Sequence, residues 1–224
     1  MSHLLSKSKY IRGLQCDRAL WLDMHMPQLA HYTAEQQMSF DYGRTFEREF
    51  KDKFPEATDI SSLLGPRRDR YASLTAEVLD RKGGVTLFEA GFEYDGVLVL
   101  ADVVKKNSDG SLDVFEVKSG TALTDTYRHD ASVQRYIIGH CRDVHRFCIV
   151  HRSAEQNAES QFVVVDLTDY TRQQMTTVEA NISKMKTIAA GSEPLVATGL
   201  HCTIPYGCPY TRHCTHTAVQ LPLF

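Results

Sequence analysis

The chain lacks any long hydrophobic run. Nowhere in its 224 residues do about 18 apolar residues follow one another, so no membrane-spanning helix is expected. The opening MSHLLSKSKYIRGLQ has no apolar stretch leading to a small-residue cleavage site. No secretory signal is therefore expected, and a cytoplasmic location follows. A basic excess is missing too. Lys and Arg total 25 against 28 Asp and Glu, for a net charge of -3, which counts against a protein that holds nucleic acid by overall charge. Positive residues gather only locally, at Arg67, Arg68 and Arg70, at Lys105 and Lys106, and at Arg142, Arg146 and Arg152. Internal repeats, low-complexity tracts and paired Cys-x2-Cys knuckles are absent as well.

What remains is an ordinary globular composition, 42% hydrophobic and 24% charged, at a length that suits one domain with a sizeable core. Ser6 is placed to cap a helix running to about Leu22. A second helix is expected from Ala34 to Phe54, with Met38, Tyr42, Phe46 and Phe50 on one face and Pro55 as its stop. A short helix over Thr75 to Arg81 ends at Gly83 and Gly84. Three strands then follow, Val85–Tyr94, Val97–Lys105 and Leu112–Lys118, separated by Asp95-Gly96 and by Asn107-Ser108-Asp109-Gly110. A helix over Tyr127 to Ile138, strands at His145–Val150 and Gln161–Leu167, and a long helix from Asp169 to Ala190 complete the order. That order implies an α/β sandwich with a mixed sheet flanked by helices.

Asp102 lies in the β-branched run LVLADVVKK, and Glu116-Val117-Lys118 closes the next strand, LDVFEVKSG. Residues two apart in a strand share a face, so Glu116 and Lys118 point the same way, and a hairpin sets Asp102 beside Glu116. Hard divalent ions such as Mg²⁺ and Mn²⁺ favour oxygen ligands, and such an ion polarises a phosphodiester and acidifies a water. A lysine beside it offsets charge building on the phosphate. The bland reading is an exposed cross-strand charge pair. The apolar residues around Asp102 and Glu116 speak against it, because a charge in such a setting usually has a function.

Two further features extend the pattern: Glu47 in GRTFERE, and Asp130, Gln134 and Tyr136 in DASVQRYIIG. The series Glu47, Asp102, Glu116, Lys118, Gln134 and Tyr136 resembles the RecB-like branch of the PD-(D/E)XK nucleases. The resemblance implies a restriction-endonuclease-like sheet flanked by helices. It makes Glu47, Asp102 and Glu116 the Mg²⁺ or Mn²⁺ ligands, Lys118 the catalytic lysine, and Gln134 and Tyr136 the helix motif that orients DNA and site. The family often has His where Glu47 stands, and its motif tyrosine often falls four residues after the Gln, where this chain has Ile138.

The six cysteines are Cys16, Cys141, Cys148, Cys202, Cys208 and Cys214, three of them within the last 23 residues. In a reducing compartment structural disulfides are not expected. The tail HCTIPYGCPYTRHC offers three thiolates, and iron–sulfur clusters usually take four. Cys16 is the natural fourth. SKSKYIRGLQCDRALWL together with this tail resembles the iron–sulfur members of the RecB-like group, including CRISPR-associated exonucleases. That implies a [4Fe-4S] cluster on Cys16, Cys202, Cys208 and Cys214 that ties the N- and C-terminal segments together. Zinc with His201, His213 or His216 as fourth ligand is the competing reading. Cys141 and Cys148 read as ordinary buried thiols.

The sequence closes on Gln220-Leu221-Pro222-Leu223-Phe224. QLPLF resembles the short motif by which bacterial replication and repair proteins bind the DNA sliding clamp, with Gln220, Leu221, Leu223 and Phe224 as its anchors. A tail packed back on the domain is the plain alternative. The combined expectation is one Fe–S nuclease domain over 1–217 and a clamp-binding tail over 218–224. Its activity is that of a deoxyribonuclease on single-stranded DNA or DNA ends, exonuclease rather than endonuclease, in replication-associated repair. A non-catalytic DNA-binding or clamp-binding adaptor and a zinc-bound interaction protein are the other classes left open.

Overall fold

The computed structural model of the chain describes residues 5–155 and 158–216. Among them, seven strands form one mixed sheet: β1 (Leu5–Ser6), β2 (Thr58–Asp59), β3 (Thr86–Tyr94), β4 (Val97–Lys106), β5 (Leu112–Lys118), β6 (Val144–Arg152) and β7 (Phe162–Asp166). Their order is β2-β3-β4-β5-β6-β7, with β1 parallel beside the first residues of β4. β3, β4 and β5 form an antiparallel meander, β6 pairs parallel with β5, and β7 pairs antiparallel with β6. The meander turns where expected: Asp95 and Gly96 carry φ of 50° and 69°, the two left-handed positions of a two-residue hairpin.

The helices are α1 (Lys7–Gln15), α2 (Asp17–His25), α3 (Ala34–Lys51), α4 (Ile60–Leu64), α5 (Tyr71–Leu79), α6 (Asp125–Cys141), α7 (Thr168–Gln173), α8 (Met175–Ala190) and α9 (Thr211–His216). Their starts follow from side chains that satisfy the free N–H groups of the first turn. Ser6 accepts from the Lys9 N–H, Thr33 and Gln36 form a reciprocal capping box, and Thr124 accepts from the Tyr127 N–H. Among the described residues, no helix is long and apolar enough to cross a membrane.

Of three apolar clusters among the described residues, one packs Ala19, Leu22 and Tyr210 against the C-terminal loop, and two hold helices on the sheet. The larger joins the sheet to α1, α2, α5, α6 and α8, through residues such as Tyr10, Leu20, Val99, Ile137, Phe147 and Ile182. α5 lies tightly on β3 because Gly91 has no side chain: a Cβ there would meet the Tyr71 Cβ at 2.6 Å. The smaller cluster sets Phe46 and Phe50 of α3 against Val103, Val117 and Val150, with Phe54, Phe88, Phe115 and Phe162 around them.

Four expected elements differ. The short helix expected over Thr75 to Arg81 is α5, Tyr71–Leu79, with Thr75 buried at its middle. The helix from Ser6 to Leu22 is two helices, because Cys16 is extended (φ -163°, ψ 125°) and serves both as the end of α1 and as the start of α2. The helix from Ala34 stops at Lys51, and only Phe46 and Phe50 of its anticipated face are buried; Met38 and Tyr42 are exposed, because the first half of α3 runs clear of the sheet. The helix from Asp169 to Ala190 turns at Gln174 (φ -87°, ψ -3°), separating α7 from α8. That turn lets Val178, Ile182 and Met185 face the core while Thr171 caps the carbonyls of Leu167 and Thr168.

Candidate active site

The site forms where β4 and β5 part. Their pairing runs from Lys106–Leu112 to Val103–Phe115 and stops there, so the next positions in register are Asp102 and Glu116. Both carboxylates are buried, Glu116 to 1% exposure. Asp102 Oδ2 accepts the Val117 N–H at 2.7 Å, replacing the backbone partner that the ended ladder would have supplied.

On the other side of β4 the alternation also slips. Leu87, Ala90, Ala101 and Val104 belong to the large core, Phe88 and Val103 to the small one. Between them Glu89 and Asp102 stand opposite each other, skipped by the pairing that joins Phe88–Val103 and Ala90–Ala101. Glu89 adopts φ of 52°, a left-handed conformation that costs a non-glycine residue of order 1–3 kcal/mol and tends to cluster at functional sites. The slip brings Glu89 and Asp102 together with Glu47 of α3. One ligand oxygen of each lies within 4.8 Å of the others, a set that could hold a divalent metal ion. Lys51, one turn after Glu47, bonds Glu47 at 2.5 Å and Glu89 at 2.7 Å and steadies both.

The second half of the site is a lattice of ion pairs. Glu116 Oε1 accepts from Lys118 at 2.6 Å and from Lys7 at 2.7 Å. Lys118 also bonds Asp130 of α6, and Asp130 accepts from Gln134 Nε2 at 3.1 Å. Among the described residues, the second oxygen of Glu116 has no hydrogen-bond partner, and neither does Gln134 Oε1.

The charges follow from these contacts. Burial raises the Asp102 carboxyl well above the usual aspartate value, and the charge of Glu116 adds to it. Burial alone would raise Glu116 too, but Lys118 and Lys7 hold it well below the glutamate range. Burial would lower Lys118, yet Asp130 and Glu116 raise it. Two adjacent carboxyls are thus pushed in opposite directions, a pattern frequent at functional sites.

Sequence reasoning placed Glu47, Asp102, Glu116, Lys118 and Gln134 in one neighbourhood, and the fold gathers them there. Glu116 does not join the three-carboxylate set, because it projects toward α1 and α6 and is taken up by lysines. Tyr136 is apart from the carboxylates: it packs in an aromatic group with Tyr94 and His140. Asp130, noted in the sequence beside Gln134, pairs with Lys118, while Glu89, Lys51 and Lys7 are additions that the sequence does not suggest.

Cys16, Cys202, Cys208 and Cys214 line one small cavity with Arg18, His201 and Thr211. All four thiols are free, and no three of them come within the 4.8 Å span that unites the carboxylates. Burial raises Cys16, opposed by the Ala19 and Arg18 N–H groups at the start of α2. The loop that carries Cys202 and Cys208 is tied to both helices that bear site residues. Gln15 of α1 donates to the carbonyls of His201 and Tyr206, at 2.8 and 2.7 Å, and Gln36 of α3 donates to that of Gly207 at 2.9 Å. Cys148 is buried inside β6, and Cys141 is half-buried at the end of α6. The motif from Gln220 to Phe224 lies outside the described residues.

No protein-family profile matches the chain. No curated protein matches it either. Among solved structures it is similar to one named "Putative exonuclease" from Eubacterium rectale, at TM-score 0.51 and 14% identity, covering 100% of this chain and 91% of that one. A second, SSO0001, matches at TM-score 0.35 and 12% identity over 82% of this chain and 98% of its own. The first likeness shows a shared mixed α/β fold.

Proposed function

We propose that this chain is a metal-dependent deoxyribonuclease. The observation that carries the reading is the meeting of Glu47, Glu89 and Asp102 within 4.8 Å, beside a buried Glu116 with one unpartnered oxygen and beside Lys118. An all-oxygen donor set of this kind fits Mg²⁺ or Mn²⁺. Held there, such an ion would supply Lewis acidity toward a phosphodiester and lower the pKa of a water. Lys118 is set to offset charge building on the scissile phosphate, with Asp130 and Gln134 fixing its direction. The name carried by the Eubacterium rectale neighbour agrees with a nuclease.

The finer reading is an exonuclease acting on single-stranded DNA or DNA ends during replication-associated repair, in the cytoplasm. Its tail, residues 218–224, binds the bacterial sliding clamp. Cys16, Cys202, Cys208 and Cys214 would hold a [4Fe-4S] cluster with a structural role. The one observation that favours it is that all four line the same small cavity.

The test is degradation of end-labelled single- and double-stranded DNA by anaerobically purified protein with Mn²⁺, beside Lys118→Ala. Cleavage by the wild type and none by the variant is the expected result. Folded, iron-loaded wild type that leaves both DNAs intact would favour a DNA- or clamp-binding adaptor instead.

A further inference from the structure

The sequence offers Glu116 one lysine, two residues away on its own strand. The fold supplies two. Lys7, the first residue of α1, reaches Glu116 Oε1 at 2.7 Å, the same oxygen that Lys118 bonds at 2.6 Å. Lys7 also stands 3.9 Å from Asp130. Its position is set by the main chain before it: Leu5 and Ser6 pair with Val97 and Leu98 of β4, the strand that carries Asp102, and Ser6 caps α1. Both lysines are largely buried, with side chains 23% and 20% exposed.

This doubling resolves a conflict in the proposed chemistry, on which the inference rests. A lone Lys118 would have two duties. It would be the counter-charge of a carboxylate that is 1% exposed, and it would have to turn toward a phosphate. Turning would strand a buried negative charge beside Asp102, which is strongly unfavourable. We propose that Lys7 is a positioning residue of the catalytic centre. It holds Glu116 through Oε1, so that Lys118 is free to face the scissile phosphate. Lys7 itself touches neither DNA nor the three-carboxylate set. Burial would lower its pKa, but Asp130 and Glu116 outweigh it and keep the ammonium charged.

The experiment compares wild type, Lys7→Met, Lys7→Gln and Lys7→Arg by steady-state cleavage of labelled single-stranded DNA, by Mn²⁺ calorimetry and by thermal melting. In Lys7→Met, kcat should fall about a hundredfold, as expected when a reacting group is mispositioned, while KM stays within about twofold. Mn²⁺ affinity should hold within about threefold, because the three carboxylates remain, and Lys7→Arg should recover most of kcat. Lys7→Gln, which keeps a donor but no charge, serves if the Met variant melts early. Wild-type kcat in the folded Met or Gln variant overturns the proposal. So does a loss confined to KM, which would put Lys7 on the DNA, a collapse of Mn²⁺ affinity, or an Arg variant as slow as Met. A wild type that cleaves nothing overturns the nuclease reading and this inference with it, whereas an active wild type matched by its Lys7 variants overturns the inference alone.

Discussion

Asp102 accepts the Val117 backbone N–H at 2.7 Å across the point where β4 and β5 separate. One carboxylate oxygen is therefore bonded to the backbone, and the same side chain also belongs to the acidic set with Glu47 and Glu89. Asn keeps an acceptor for Val117 and removes a charge that burial disfavours. Asp102→Asn should melt at or above the wild-type temperature while losing Mn²⁺-dependent cleavage by about 100-fold or more. Asp102→Ala strands the N–H, at a cost of about 1–3 kcal/mol, and should melt below Asp102→Asn. Equal melting of the two variants would remove the structural part of this account.

The same carboxyl predicts how stability follows pH. Asp102 is raised by burial and by Glu116, and Glu89 by burial above all. A carboxyl with a folded pKa above its unfolded one binds protons more tightly when folded, so its contribution is favourable at low pH and fades as pH rises toward the folded value. Glu116 has the opposite sign: held low by Lys118 and Lys7, it stabilises above the ordinary glutamate range and loses that only as pH falls below it. Metal-free protein should melt at lower temperature as pH is raised from the usual aspartate range toward neutrality. Mn²⁺ should raise the melting temperature more at neutral than at acid pH, and the metal-free decline should shrink in Asp102→Asn. Scanning fluorimetry across pH with and without Mn²⁺ decides it; a decline undiminished in Asp102→Asn would place its origin elsewhere.

Glu89 is the acidic residue that motif reading passed over. Glu89→Gln keeps its size but removes the anionic ligand, and Lys51 still pairs with Glu47. Mn²⁺ affinity should drop about 10–100-fold by calorimetry, with little loss of fold. Affinity equal to wild type would reduce the acidic set to the residues expected from sequence.

The four cysteines around one cavity are open to direct test. In anaerobic preparations, Cys16→Ser, Cys202→Ser, Cys208→Ser and Cys214→Ser should each lose iron and absorbance near about 400 nm, whereas Cys141→Ser should lose neither. Full iron in Cys16→Ser would mean that the fourth ligand lies elsewhere. A colourless protein loaded with zinc would replace the cluster altogether.

The tail makes a separable prediction. Deleting residues 220–224 should abolish binding to a bacterial sliding clamp in a surface-plasmon assay and leave cleavage of free DNA unchanged. Clamp binding that survives the deletion would refute the motif assignment.

The meander was legible because its turns are chemically explicit, and Leu112–Lys118 appears with the bounds the sequence suggests. That same chemistry contained Glu89. A two-residue turn at Asp95-Gly96 pairs Tyr94 with Val97, and counting back along both strands sets Glu89 opposite Asp102. What hid it was the assumption of regular alternation, which the left-handed Glu89 breaks. Lys7 was not legible at all, since nothing local says that a two-residue strand docks on β4 and turns α1 toward Glu116. Helix bounds failed where tertiary contacts outweighed period: the apolar spacing of Met38, Tyr42, Phe46 and Phe50 is real, but the sheet reaches only the last two.

The loop from His201 to Gly207 is bonded to α1 through Gln15 and to α3 through Gln36, across separations of 186, 191 and 171 residues. If Lys7 and Glu47 serve the chemistry proposed for them, the consequence is one of timing. During synthesis every strand of the sheet emerges before this loop does, so the framework can collapse while the two helices still lack their brace. A chain halted short of residue 201 would own all its acidic groups and both lysines, yet hold them loosely. Competence to cut would then wait on residues 201–207, well after the sheet has formed.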